Sequence, residues 1–298
     1  MKNFILRRMS RTILFLTIAF FGNSPLFSLH VFAFQQSATD TAAENASPSD
    51  RKDGETQSEQ RLQNAQKLRS QKAQQLQQQP KDEAARPLKP LFDYPELLKQ
   101  LDTKEPVWVT TDRQNVVLVG HVCLREGLLE FFACRRGTKE YESIISLDVT
   151  PHLIHAALLV IGAKQGSPAK FDPVVVPPSG EEIEIQIRWN DTEGNRHECP
   201  AQEFIREVRT HEIMRSPWVF TGGLFGTDPD GKKYYLANVT GEIFGVSNFP
   251  GAVLDVPFES SSDDSNLYYE PNTEKIPEVG TEVTLILYRK NRPEKKTE

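Results

Sequence analysis

Between Phe34 and Pro90 the chain has almost no large apolar side chains, so whatever folds must be built from the residues that follow. Tracts such as "AQQLQQQPKDEAARPLKP" offer too little apolar surface to offset the entropy of ordering a backbone. Leu62, Leu68 and Leu76 are spaced six and eight apart, which gives no sustained heptad seam. Residues 34–90 are therefore read as a disordered tether rich in glutamine and charge. The first 33 residues have the grammar of an export signal: Lys2, Arg7, Arg8 and Arg11 precede "ILFLTIAFF", then comes "GNSP", and Val31-Phe32-Ala33 offers a small-residue cleavage site. No charge interrupts the run from Arg11 to Asp40, so an uncleaved amino-terminal anchor is the alternative. Arg7-Arg8 lacks the apolar residues that follow a twin-arginine pair, which favours the general secretory route. Both outcomes make the chain secreted or periplasmic, with a membrane involved only through that segment.

Charge narrows the partners. The chain holds 35 basic and 41 acidic residues, and the first 33 residues supply four of the basic ones and none of the acidic. Residues 91–298 are left with 22 basic against 33 acidic. Such a surface repels phosphate backbones, and no basic stripe interleaved with aromatics offsets it, so nucleic acid is excluded as a partner. An envelope or secreted protein or ligand remains.

From Leu91 the aromatic and branched aliphatic residues return. "PELLKQL" and "PAQEFIREV" read as short accessory helices. "VWVTT", "NVVLVGHVCL", "LLEFFACR" and "KEYESIISLDV" read as a consecutive antiparallel meander, with turn residues between them. "EIEIQIRWND", "PWVFTGGLF", "KKYYLANVTGEIFGV" and "EVTLILYR" add further strands. The one well-defined helix spans about 151–162, where Thr150 is placed to cap it, Pro151 suits its first turn and Gly162 ends it. The predicted fold class is α+β, mainly antiparallel β, in a single domain over residues 91–292 with a charged tail at 293–298. "FESSSDDSNLYYEPNTEKIPEVG" reads as a long acidic loop.

The stretch "REGLLEFFACRRGTKEYESIISLDVTPHLIHAALLVIG" resembles the core of the YdjY-like domain through Gly127, Leu129-Glu130, Cys134, Gly137-Thr138-Lys139, Glu142-Ser143 and the Pro151 to Gly162 helix. The likeness extends more loosely through "PWVFTGG" to "EVTLILY" and covers about two thirds of the chain. It implies an extracytoplasmic bacterial domain with no established biochemical role, and an association with ferredoxin-like iron–sulfur proteins. The cysteines speak against such a cluster, which needs about four thiolates. Only Cys123, Cys134 and Cys199 are present, 11 and 65 residues apart. In an exported chain these three are disulfide candidates, with all three pairings open. A hairpin turning at Arg125 to Gly127 would leave Cys123 and Cys134 out of register.

The sharpest site candidate is a metal ion. His152 and His155 lie three apart on the predicted helix and can share a face, with Glu130 and Cys134 as further ligands if the meander lies beneath it. The same histidines could equally serve the packing of the helix. In "KEYES", strand alternation places Lys139, Tyr141 and Ser143 on one side and Glu140 and Glu142 on the other. Lys139 and Ser143 would then stand about 13 Å apart, too far for a nucleophile pair. No G-x-S-x-G elbow is present, and no catalytic residues are assigned. Glu130, set among Leu128, Leu129, Phe131 and Phe132, is a candidate half-buried carboxyl, and with Glu142 it frames a hydrolase alternative. Asp228, Asp230 and Gly231 match the first half of a calcium loop, although Asp-Gly also makes a tight hairpin turn. The leading expectation is a non-catalytic binding module, with a metal or redox protein as the alternative.

Overall fold

The computed structural model describes residues 88–260 and 267–291. The signal, the tether, the tail and the middle of the acidic loop lie outside those residues. Fifteen strands are described: β1 Leu98–Gln100, β2 Val107–Thr110, β3 Val116–Val122, β4 Phe131–Arg135, β5 Ser143–Leu147, β6 Glu182–Asn190, β7 Arg196–Pro200, β8 Ile205–Glu207, β9 Trp218–Phe220, β10 Phe225–Thr227, β11 Lys233–Tyr235, β12 Glu242–Gly245, β13 Leu254–Asp255, β14 Tyr269–Pro271 and β15 Glu282–Arg289. Helix α1 covers Pro151–Val160 and helix α2 covers Leu236–Thr240.

Eight of the strands close into a barrel in the order β3, β15, β6, β9, β13, β12, β4, β5, with β5 returning to β3. Closure at that size leaves an interior that side chains can fill. Alternate residues of the long strands do so: Val116, Leu118 and Val122 from β3, Ile183, Ile185 and Ile187 from β6, and Val283, Leu285 and Leu287 from β15 belong to one buried cluster with Trp218, Phe220 and Phe244. The opposite parity of the same sheet, Val117, Val119 and Ile286, packs with Trp108 against Leu88, Phe92 and Leu98. Period-2 patterning thus gives two apolar layers, one inside the barrel and one under the segment that leads into it. Gly120 sits where β3 exchanges β2 for β5, and a Cβ there would come within 2.6 Å of the Ser146 carbonyl oxygen and the Leu147 side chain. Only glycine allows the barrel to close so tightly at this point.

The barrel departs from a consecutive meander. β2 and β3 form the expected antiparallel pair, but β3 and β4 do not pair with each other. Instead β5 lies between them, antiparallel to β3 and parallel to β4, and β12 and β13 form a second parallel pair. Hydrophobic alternation specifies which face a strand buries and leaves its neighbour unspecified. Three local readings also change. "PELLKQL" and "PAQEFIREV" each contain a short 3-10 turn, Pro95–Leu97 and Ala201–Phe204, that runs directly into a strand. "KEYES" is a 3-10 turn over Glu140–Glu142 followed by β5, and "KKYYLANVTGEIFGV" is β11, α2 and β12 rather than one strand.

The predicted helix is present as α1, with Gly162 just beyond it at a φ of 78°, which glycine adopts without strain. Thr150 does not cap it through its side chain. Its hydroxyl donates instead to Glu105 at 2.6 Å, and its backbone N–H meets the same carboxylate, so the helix start is tied to the strand layer. Ile154, Ala157 and Leu158 bury one side of α1 in the main core.

Candidate functional site

The chain between β4 and β5 has to travel back along β4 to start a parallel neighbour. That return brings Lys139 and Glu142 beside Glu130, at the start of the strand they have just left. The Lys139 ammonium lies 3.0 Å from Glu142 and 3.9 Å from Glu130. It also sits over two rings, 4.9 Å from the Phe131 centroid and 5.3 Å from that of Phe249, which are themselves 4.6 Å apart. The i to i+3 contact between Lys139 and Glu142 arises from the 3-10 turn, whereas strand alternation would have put the two on opposite sides. β12 brings up Glu242, and Gly251 gives it a backbone N–H. A Cβ on Gly251 would collide with that carboxylate.

Four buried glutamates, Glu130, Glu140, Glu142 and Glu242, therefore collect around this return, with one lysine among them. Burial works to lower the Lys139 pKa, but Glu142, Glu130 and Glu242 outweigh it and hold the amine charged. A lysine held as an ammonium is no nucleophile and no base. Burial raises the Glu242 carboxyl above the usual range, against the pull of Lys139. Next to it on β13, Asp255 is fully enclosed and is pushed up to about 8 by burial, although it accepts bonds from the Phe249 and Val256 N–H groups at 3.1 and 2.8 Å. Asn248 donates to it as well, at 3.4 Å. The cluster is a nest of enclosed acids around one ion-paired lysine. Lys139 is engaged with Glu130 and Glu142, and the Ser143 hydroxyl donates to the Lys139 carbonyl oxygen at 2.7 Å.

Sequence reasoning named Glu130 and Glu142 as candidate acids but missed Glu242, Asp255 and Phe249. The signal was there: "GEIFGV" and "VLDVP" each put a single acid inside an otherwise apolar strand pattern, where a charge is costly.

The histidines go elsewhere, and in different directions. His152 is exposed and faces α2, where the Asn238 side chain takes its backbone N–H at 3.0 Å and lies 3.3 Å from its Nδ1. His155 points inward, with Nδ1 3.0 Å from the Gly222 carbonyl oxygen and 3.4 Å from the Tyr235 hydroxyl. The rings of Phe220, Phe225 and Tyr235 surround it edge-on. Burial lowers its pKa, which favours the neutral ring. Glu130 and Cys134 belong to the β4 side of the barrel, Glu130 with Lys139 and Cys134 on the ladder to β5. His152, His155, Glu130 and Cys134 are not assembled into one ligand set, and among the described residues no three histidine, cysteine or acid side chains converge where a metal ion could sit.

Cys123, Cys134 and Cys199 are all thiols. The Cys123 sulfur lies 3.1 Å from the Ser143 carbonyl oxygen, and its pKa is raised by contact with the Cys134 thiol and by burial. A hairpin register does not govern this pair, because β3 and β4 are not partners. Cys199 is on β7, beside Glu203 and Lys275, and burial pushes its thiol up to about 12. The Asp228 to Gly231 stretch is a tight turn joining β10 to β11: the Asp228 carboxylate accepts the N–H groups of Asp230 and Lys232 at 3.1 and 2.7 Å.

Several exposed apolar side chains gather around α1 and α2. α1 exposes Leu159 and Val160, the β10–β11 ribbon exposes Phe225 and Tyr234, and α2 exposes Val239, which is 69 % accessible. These elements are neighbours, joined through His152 with Asn238, His155 with Phe225 and Tyr235, and the Leu236 N–H to the Leu224 carbonyl at 2.9 Å. Single exposed apolar residues are ordinary, whereas a group on adjoining elements marks a contact surface.

The family model of the YdjY domain matches residues 107–288. The chain belongs to the YdjY-domain family. The match runs from the start of β2 to Tyr288 in β15 and so takes in all eight barrel strands but for the last residue of β15, together with α1 and the acid nest. No curated protein and no solved structure matches the chain.

Proposed function

We propose that this YdjY domain is a non-catalytic binding module of the cell envelope, exported and carried on a tether, that docks a partner protein through the apolar surface of α1, α2 and the β10–β11 ribbon. That surface carries the reading. Leu159, Val160, Phe225, Tyr234 and Val239 gain by leaving water, at about 25 cal/mol per Å2 buried, and the exposed Lys233 of β11 stands among them as a cation beside Tyr234. The remaining chemistry supports it from the other side. The lysine of the acid nest is held charged by the acids around it, His155 of α1 is packed among aromatic rings, and the acids of the nest pair with that lysine or accept backbone N–H groups. Export and tethering rest on the amino-terminal pattern of basic residues, apolar run and small-residue site, followed by the glutamine-rich tract.

A photo-crosslinking residue placed at Val239, and separately at Phe225, in the full chain tests the surface. A discrete protein adduct at both positions, abolished by Leu159→Glu together with Phe225→Glu or Val239→Glu, is the expected result. A cleanly folded protein that gives no adduct at either position, while a crosslinker on the far side of the barrel does, would move the interface elsewhere.

A further inference from the structure

Two long exposed runs among the described residues, 192–198 and 229–234, read "TEGNRHE" and "PDGKKY", the composition that turns favour. Residues 170–176 are exposed without a break as well, but they read "KFDPVVV". Phe171, Val174, Val175 and Val176 all face water there, Val174 at 67 % accessible. Four large apolar side chains in six consecutive positions call for a covering partner. A two-stranded stem holds this tip away from the barrel. Ser167 and Ser179 exchange backbone hydrogen bonds at 3.0 and 2.9 Å, and so do Lys170 and Val176. The Gly166 N–H roots the stem by donating to the Phe220 carbonyl oxygen of β9 at 2.9 Å. Phe171 to Val175 form the loop beyond the last cross-strand pair.

The end of a narrow arm is convex, and its partner has to close round it. A protein would need a preformed pocket for both sides of the loop, whereas the headgroup–acyl boundary of a bilayer admits apolar side chains to about 5–10 Å without one. The neck suits the same setting, because Lys170 has an apolar stem that lets its ammonium reach the headgroup level. Asp172 is the one charge within the tip and opposes insertion. A bilayer is also within reach. The apolar run near the amino terminus is read as an export or anchoring segment, and a coil of the length of the 34–90 tract spans roughly 40 Å. The acid excess of residues 91–298 opposes anionic lipid, so the contact is driven by apolar side chains.

We propose that the 167–179 arm inserts its Phe171–Val176 tip into the interfacial layer of a phospholipid bilayer, as a reversible membrane contact separate from the amino-terminal segment. Attachment by one short apolar element is weak, and stable attachment takes two such signals acting together. The proposal rests on the export reading of residues 1–33, which brings the domain to a bilayer, and is independent of the docking surface on α1 and α2.

The first 87 residues contain no tryptophan, and Trp108 and Trp218 are buried, so a tryptophan placed at Val175 reports the tip rather than the amino-terminal segment. In full chain carrying Val175→Trp, phosphatidylcholine vesicles with brominated acyl chains are expected to quench the new indole and to leave the parent protein nearly unchanged. Val174→Glu with Val176→Glu in the same background should weaken that quenching titration by about tenfold or more, with the urea midpoint unmoved. Asp172→Asn should strengthen it, and added sodium chloride should not weaken it. Full chain that floats with the vesicles while Val175→Trp stays unquenched would assign attachment to the amino-terminal segment and overturn the proposal. Binding that salt abolishes overturns it too, as does a photo-crosslinker at Val175 that joins a protein in cells and no lipid. An alkaline phosphatase fusion that stays inactive would undo the export reading, and the vesicle titration would still decide the tip.

Discussion

Replacing Asp255 by asparagine should change how stability depends on pH rather than lower it uniformly. Asp255 is fully enclosed on β13, with a pKa pushed up to about 8 by burial. In the unfolded chain an aspartate titrates near about 3.9. Between those two values the folded protein binds a proton that the unfolded chain does not, so the stabilisation present at low pH is lost as the pH rises through the folded pKa. The slope approaches about 1.4 kcal/mol per pH unit, and across the whole window the loss reaches up to about 6 kcal/mol. Glu242, also raised by burial, acts in the same direction. Asparagine removes the Asp255 share, but it turns an NH2 toward one of the donors that the carboxyl now accepts. With Phe249 N–H at 3.1 Å and Val256 N–H at 2.8 Å on the two oxygens, one bond is lost, at about 1–2 kcal/mol. The variant should therefore be less stable than the parent below about pH 4, about equal to it near pH 5, and more stable than it above pH 8. Urea denaturation at a series of pH values, compared at constant m-value, measures this directly. A penalty of equal size at pH 5 and pH 9 would show that Asp255 is ionised throughout, with its three donors prevailing over its burial, and the reasoning would be refuted.

Two further predictions concern the barrel. Lys139→Met leaves Glu130, Glu142 and Glu242 without their shared cation and should cost about 3–5 kcal/mol at pH 8, with part of the loss recovered in acid as the glutamates protonate; thermal denaturation at both pH values checks it. Gly120→Ala pushes a methyl against the Ser146 carbonyl and Leu147 where β3 meets β5, and should cost about 1–3 kcal/mol, read as a lower urea midpoint, with hydrogen exchange rising along β5 before the rest of the barrel.

Much of the fold could be read from short-range pattern. The helix from Pro151 to Gly162, the alternating "EIEIQIRWN" and the Asp228–Gly231 turn follow from local sterics and apolar periodicity, and each is found where the sequence puts it. The Lys139–Glu142 contact could not be read this way, because "KEYES" carries strand-like alternation and only the short return from β4 to a parallel β5 forces it into a 3-10 turn. Nor could the fate of the two histidines. Spacing places His152 and His155 on one stretch of helix, but what each meets depends on α2 and on the Gly222–Tyr235 region, more than sixty residues away in the chain.

By itself, then, the sequence determined where the apolar matter lies, which residues alternate toward a core, the family to which that core belongs, and the acidity of its surface. These are one-dimensional properties, set by composition and by neighbours within a few residues. Tertiary structure alone decided that β5 inserts between β3 and β4, that the strands close on themselves, and that Glu130, Lys139, Glu142, Glu242 and Asp255 share one side of the barrel. Strand pairing is a contest among partners far apart in the chain, won by how well whole faces pack when the sheet closes, and no local pattern encodes that outcome.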